Sequence, residues 1–317
     1  MKVVFFGLGS IGRRHLGLLQ TEPSLKSGLS LYAVRSSFGG SATPNGIEEL
    51  AGWKEFEQVR PDAAFICNPT SRHIETALEC AKRGVNLFLE KPIGSGEEGL
   101  DDLLEAVDRG NLTAYVAYPL RFHPGVEALR RTLRQGGFAG GHVRAVVSSY
   151  LPNWRPGTDH LQSYSARREL GGGVILDLSH EFDLMEYVFG SVSRISGKAS
   201  RGGNVTLDCE DRASAVFSAG DYGVNLDMTF SSMHPQRTIE VDLPGRYLKL
   251  DLLSHEITTK APEGTRVEKF EVGRDEIFLR QLKYFLENTS NPRLMNNLNE
   301  ASPLFRKILA FRKEASL

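Results

Sequence analysis

The chain has 317 residues, of which 40% are hydrophobic and 24% charged, enough for two domains with cores and incompatible with a disordered tail or a fibre. Lys and Arg number 38 against 39 Asp and Glu, a formal net charge of -1, so no basic surface invites nucleic acid, and no apolar run approaches the roughly 18 residues of a membrane span. Cys67, Cys80 and Cys209 are scattered without CxxC spacing and read as reduced thiols; with no apolar signal core at the N-terminus, we expect a cytoplasmic protein with no metal, membrane or nucleic-acid partner.

In chain order, residues 3–6 predict a buried strand, and Ile11, His15, Leu16 and Leu19 a helix after it. Further strands are expected at 29–34, 63–67, 85–89 and 113–118, with helices at 70–83, ending at Gly84, and 99–109, ending at Gly110. This alternation predicts a doubly wound parallel sheet over residues 1–119. From 120 to 317 the texture changes to strands at 142–151, 213–218 and 224–230 and a hairpin of 238–243 with 246–252 about Pro244-Gly245. One helix at 174–189 interrupts this mostly antiparallel half, and helices at 276–287 and 303–313 close it, free to return to the first domain.

The chemistry-bearing residues follow the strands. Gly7, Gly9, Ser10, Ile11 and Gly12 form a GxGxxG run between a strand and a helix, where the glycines allow a tight turn, close approach to a pyrophosphate and close helix packing. Arg35 and Ser36, with Ser37, end the second strand where an acid would bind the ribose of NAD; their cation and hydroxyls favour NADP(H) over NAD(H), unless an acid from another loop holds the ribose. Asn68 offers an amide at the end of the third strand, and Thr70 is placed to cap the next helix. Glu90-Lys91-Pro92 brings an ammonium group to the same sheet edge, able to steady charge on a substrate oxygen. After Gly171-Gly172-Gly173, Asp177, His180 and Asp183 are spaced three apart on one helical face, a histidine between two carboxylates that can accept a proton near neutrality or simply a surface ion cluster.

The segments GLGSIGRRHL, CNPTSRH, FLEKPIG, YPLRFHP and GGGVILDLSHEFD, in this order, resemble the Gfo/Idh/MocA oxidoreductases, the glucose-fructose oxidoreductase and inositol dehydrogenase group, over essentially the whole chain. The resemblance implies an N-terminal Rossmann domain, a C-terminal α/β domain with an open sheet, and a homodimer or homotetramer built through that sheet's outer face. It places the catalytic lysine on Lys91, the histidine on His180 and an acid on Asp177, and extends cofactor contacts to Pro69, His73, Glu90, Lys91 and Arg121. Tyr118 falls in the segment that joins the domains, and a cis bond before Pro92 is implied. Two residues separate Asp177 from His180 where many members have three, so Asp183 rivals Asp177 as partner of His180.

Between Tyr150 and Tyr164 lie Trp154, Arg155, Asp159 and His160, with Arg167 and Arg168 following, a set that suits a sugar, sugar acid, nucleotide sugar or cyclitol, or arginines that merely pair with local acids. The function expected is hydride transfer between NAD(P) and a secondary alcohol or carbonyl of such a substrate, bound by Lys91, Tyr118, Trp154, Arg155, Asp177 and His180. Two alternatives are a glycosidase that uses transient oxidation and a non-catalytic dinucleotide sensor; the joint presence of Lys91, Asp177 and His180 speaks against the sensor.

Overall fold

An unbroken apolar run suits a strand covered on both faces, and in the computed structural model Lys2–Phe6 forms β1 inside a six-stranded parallel sheet. The structure describes residues 1–35, 44, 46–154, 157, 159–202 and 204–315. Two units divide the chain, Met1–Tyr118 with Phe278–Pro303 and Pro119–Ile277 with Leu304–Leu317.

In the first unit β1 is joined by β2 (Ser30–Val34), β3 (Glu48–Leu50), β4 (Ala63–Ile66), β5 (Asn86–Glu90) and β6 (Ala114–Ala117), in the order β3-β2-β1-β4-β5-β6. Every pairing is parallel. Helices α1 (Ser10–Thr21), α2 (Pro23–Lys26), α3 (Trp53–Val59), α4 (His73–Lys82) and α5 (Leu100–Arg109) supply the connections. The winding reverses between β1 and β4, which opens a crevice beyond their C-terminal ends, the usual nucleotide position in such sheets. β3 and α3, of 3 and 7 residues, are too short to carry a periodic signal.

This unit has an aromatic core. Phe65 of β4 and Phe88 of β5 stack at 4.4 Å, and Phe285, from the returning segment, meets both edge-on at 5.7 and 5.3 Å. The same segment covers the edge strand β6, where Val116 N–H donates to the Asn296 carbonyl at 3.0 Å and the Asn296 amide donates back to Val116 O at 2.6 Å. Unpaired strand edges invite association, and these bonds close one.

In the second unit α6 (Pro124–Gly136) precedes β7 (Gly141–Tyr150). The sequence reading places no helix before the strand at 142–151, but Pro124 starts α6, where the His123 ring accepts from Gly125 N–H at 3.1 Å as a cap and Val126, Leu129 and Leu133 form a buried stripe at spacings of three and four. Then come α7 (Val174–Asp177), α8 (Ser179–Phe189), β8 (Ser196–Ser200), β9 (Arg212–Ala219), β10 (Tyr222–Thr229), β11 (Ser231–Leu243), β12 (Arg246–Asp251), β13 (Glu256–Ala261) and β14 (Gly264–Lys269). The eight strands lie in the order β14-β13-β12-β11-β7-β10-β9-β8, all neighbours antiparallel except β7 and β10. Residues alternate in burial along β9 and β10, so one face packs into the core with α7 and α8 residues such as Ile175, Phe182 and Met185. β14 is exposed along its whole length, which left no alternation to read. Finally α9 (Glu276–Glu287) and α10 (Leu298–Ala315) end the chain; α10 begins before Pro303, which lies inside it and not at its start. Phe285→Ala is expected to cost about 3–5 kcal/mol, because it empties a closed aromatic site, and urea unfolding of the variant measures it.

Candidate active site

The β1–α1 turn passes so close to β4 that side chains are forbidden. A Cβ on Gly7, whose φ is +91°, would lie 2.7 Å from the Asn68 backbone, and one on Gly12 would lie 2.3 Å from the Gly7 carbonyl. Gly9, the N-cap of α1, differs: nothing stands within 4 Å of its Cβ position, and no side chain caps the helix. Exposed Ser10 and half-buried Ile11 then open the helix. This leaves backbone N–H groups and the positive helix end facing open space, a site for phosphate.

Beside this loop the Asn68 amide donates to Thr76 Oγ1 at 2.8 Å, while its Oδ1 is buried and has no hydrogen-bond partner among the described residues. A buried acceptor left unpaired is costly unless a ligand supplies the donor. The turn and this acceptor together fit a dinucleotide. Pro69 leads extended into a 3-10 turn, Thr70–Arg72, and α4 begins only at His73 without a side-chain cap, so the capping expected of Thr70 is not what the structure shows. The buried His73 ring places Nδ1 2.8 Å from Pro92 O and Nε2 2.9 Å from Asn68 O, tying the two ligand-facing loops together. Burial lowers its pKa, with the two carbonyls acting in the opposite sense. Both ring nitrogens are thus engaged by backbone, which makes His73 a brace for the cofactor loops.

Glu90 is held inside the unit. Its Oε1 lies 2.6 Å from the Nε2 of fully buried His15, and its Oε2 accepts the Lys91 N–H at 3.3 Å. Half-buried Lys91 follows, joined to Pro92 by a cis peptide bond, and Tyr118 is buried. Arg35 makes an ion pair with Glu49 of β3 at 3.6 Å, both side chains largely covered. An acid from a neighbouring element therefore does stand at the end of β2. Ser36 and Ser37 lie outside the described residues.

In the second unit the expected continuous helix is broken. α7 ends at Asp177, Leu178 takes φ -95° and ψ 23°, and α8 starts at Ser179, so the i,i+3 face assumed for Asp177 and His180 does not run through. Buried Asp177 accepts from Tyr164 OH at 2.8 Å and from Ser165 Oγ at 2.6 Å. Asp183 is bound in a fork by Arg121, at 3.0 Å from Nε and 2.7 Å from Nη2, and Arg121 also lies over the Tyr187 ring. The carboxylate found 3.3 Å from His180 Nε2 is that of Glu181, which also pairs with Arg237 of β11. Hydroxyls thus hold Asp177 and a guanidinium holds Asp183, while Glu181 is a further acid beside His180 that helical spacing did not offer. Burial pushes the Glu181 carboxyl up, yet Arg237 and His180 outweigh it and hold the pKa at about 2. Glu181 and Arg237 were not singled out from the sequence, although each is a charge at an apolar register position.

Half-exposed Trp154 stands edge-on to Phe230 at 5.0 Å and lines a small depression with Leu151, Pro152, Asp159 and His160. Arg155 lies outside the described residues. Arg167 pairs with Glu169, and the Arg168 guanidinium lies 3.9 Å from Glu210 Oε2, so both arginines have local acids beside them. Among the described residues no His, Cys, Asp and Glu group is placed to hold a metal, and no helix is long and apolar enough to cross a membrane.

Residues 1–118 match the oxidoreductase family with an NAD-binding Rossmann fold, and residues 126–246 match the GFO/IDH/MocA C-terminal domain. The oxidoreductase YrbE of Bacillus subtilis is 26% identical over 188 residues, 58% of this chain and 52% of that protein. Myo-inositol 2-dehydrogenase of Thermotoga maritima is 23% identical over 315 residues, 92% of this chain and 89% of that one. In fold, the chain is similar to the WlbA dehydrogenase from Bordetella pertussis in complex with NADH and UDP-GlcNAcA, with TM-score 0.78 and 16% identity over 99% of this chain and 95% of that one. The two matches follow one another along the chain and together cover most of it, and the chain belongs to the Gfo/Idh/MocA oxidoreductases.

Proposed function

We propose that the chain transfers a hydride between a nicotinamide dinucleotide and a secondary alcohol or carbonyl of a sugar, sugar acid, nucleotide sugar or cyclitol. The observation that carries this reading is the glycine turn with the unpaired Asn68 Oδ1 beside it, on the sheet edge that also bears Lys91. The inositol and nucleotide-sugar ligands named for the relatives support the substrate class. When bound, the dinucleotide supplies the hydride acceptor or donor. Lys91 holds the substrate oxygen and steadies its developing charge, while His180 takes the hydroxyl proton. Asp177, fixed by Tyr164 and Ser165, offers a rigid acceptor to a substrate hydroxyl, and exposed Trp154 an aromatic face. Arg121 braces Asp183 on the helix that carries His180.

The coenzyme preference turns on Arg35. As an unbalanced cation it would select NADP(H), but Glu49 competes for the guanidinium, so we assign NAD(H) to the wild-type chain. The open face of the second sheet, with Val216 and Met233 exposed, is proposed to bind a second copy, giving a dimer or tetramer that light scattering would count. We place the protein in the cytoplasm, acting on a small molecule.

Turnover of a panel of sugars and cyclitols tests the reading, with Lys91→Ala and His180→Asn each expected to lower kcat by about 10²-fold. Stoichiometric coenzyme reduction is expected; cleavage of a nitrophenyl glycoside without net reduction would instead favour the glycosidase. Gly12→Ala should abolish NADH fluorescence enhancement, because its methyl group collides with the Gly7 carbonyl. Glu49→Gln should raise NADPH affinity relative to NADH, read by parallel titrations; an unchanged ratio would show that Arg35 does not meet the ribose.

A further inference from the structure

Two elements of the second unit each carry a charge where an apolar side chain is due. On α8, Glu181 shares the buried stripe of Met185 and Val188, at spacings of four and three. On β11, Arg237 alternates with buried Ile239, Val241 and Leu243, so it points to the same covered face. The two side chains meet there as an ion pair. A buried pair placed only for stability recovers little, since desolvation of both ions offsets their attraction. Here a third group shares the carboxylate, with His180 Nε2 3.3 Å from Glu181 Oε1. Held ionised by Arg237, the carboxylate can only accept hydrogen bonds, so an imidazole nitrogen turned toward it keeps its proton.

We propose that Glu181, anchored by Arg237, is the positioning residue of His180, holding the neutral ring as the Nε2–H tautomer and leaving Nδ1 as the nitrogen that takes the substrate proton. This rests on the reading of His180 as the base. In the step, the substrate O–H bond breaks and Nδ1–H forms, the hydride on the same carbon passes to the bound nicotinamide, and Glu181 balances the new imidazolium charge. Arg237 reaches the site from the strand whose pairing with β7 shifts register between Ser231 and Gln236, just ahead of it.

The test uses the full chain labelled with 15N-histidine and saturated with NAD+, with two-bond 1H–15N correlations recorded where the ring is neutral and His180→Asn identifying the signal. The expected wild-type pattern has Nε2 protonated and Nδ1 bare. Glu181→Gln and Arg237→Met should convert it to a mixture of tautomers with NADH affinity unchanged, and Arg237→Lys should restore it. A wild-type pattern with Nδ1 protonated overturns the proposal, as does an unchanged spectrum in Glu181→Gln. If neither variant folds, the wild-type pattern alone decides. Full turnover by His180→Asn would remove His180 as the base while leaving the tautomer assignment intact, so the two failures are separable.

Discussion

The approach of backbone to backbone between Gly7 and Asn68 governs the first unit. A turn that lets a Cβ come no nearer than 2.7 Å to the neighbouring strand's end admits only glycine, and it brings the start of α1 to the crevice between β1 and β4. Everything that makes this edge a dinucleotide site depends on that distance: the uncapped helix end, the space over Gly9 and the buried Asn68 acceptor. His73 stiffens the same place from below by holding the carbonyls of Asn68 and Pro92 together.

Buried charge is the second organising constraint. Glu90, Asp183 and Glu181 are all nearly inaccessible, and each is matched, by His15, Arg121 and Arg237 respectively. Leaving any of these carboxylates unpaired in the interior would cost several kcal/mol. The pairings do more than offset desolvation. His15 belongs to the helix whose N-terminus faces the phosphate position, and through Glu90 it fixes the residue beside Lys91. Arg121 and Arg237 secure, in the same way, two acids on the helix that carries His180. The candidate residues Lys91 and His180 thus sit on or beside elements braced by these pairs, the kind of support a site that must hold its geometry requires.

The parallel half was legible because its strands are covered on both faces and read as unbroken apolar runs, and because the glycine run sits between a strand and a helix. The long strands β7, β9, β10 and the β11–β12 hairpin were legible through alternation and the Pro244-Gly245 turn. Three-residue β3 and uniformly exposed β14 had no period to show, whereas α6 does carry one, Val126, Leu129 and Leu133 at spacings of three and four, and went unread. Pro303 read as a helix start, although the helix holds it in its interior.

By itself, the sequence determined the two fold classes and the glycine turn, since these rest on residue type and on spacing within one element; Lys91 and His180 enter as reactive candidates through the family resemblance. Only the tertiary structure decided which partner each charge takes. Helical spacing offered Asp177 and Asp183 beside His180; the tertiary structure adds the break at Leu178, the hydroxyls of Tyr164 and Ser165 on Asp177, the fork of Arg121 on Asp183, and Glu181 as a further acid at His180. Likewise the sequence left open whether an acid from another segment stands near Arg35, and β3 sets Glu49 beside it. Periodicity records which face a residue occupies, whereas a pairing energy depends on the distance to a group that another segment of the chain brings in.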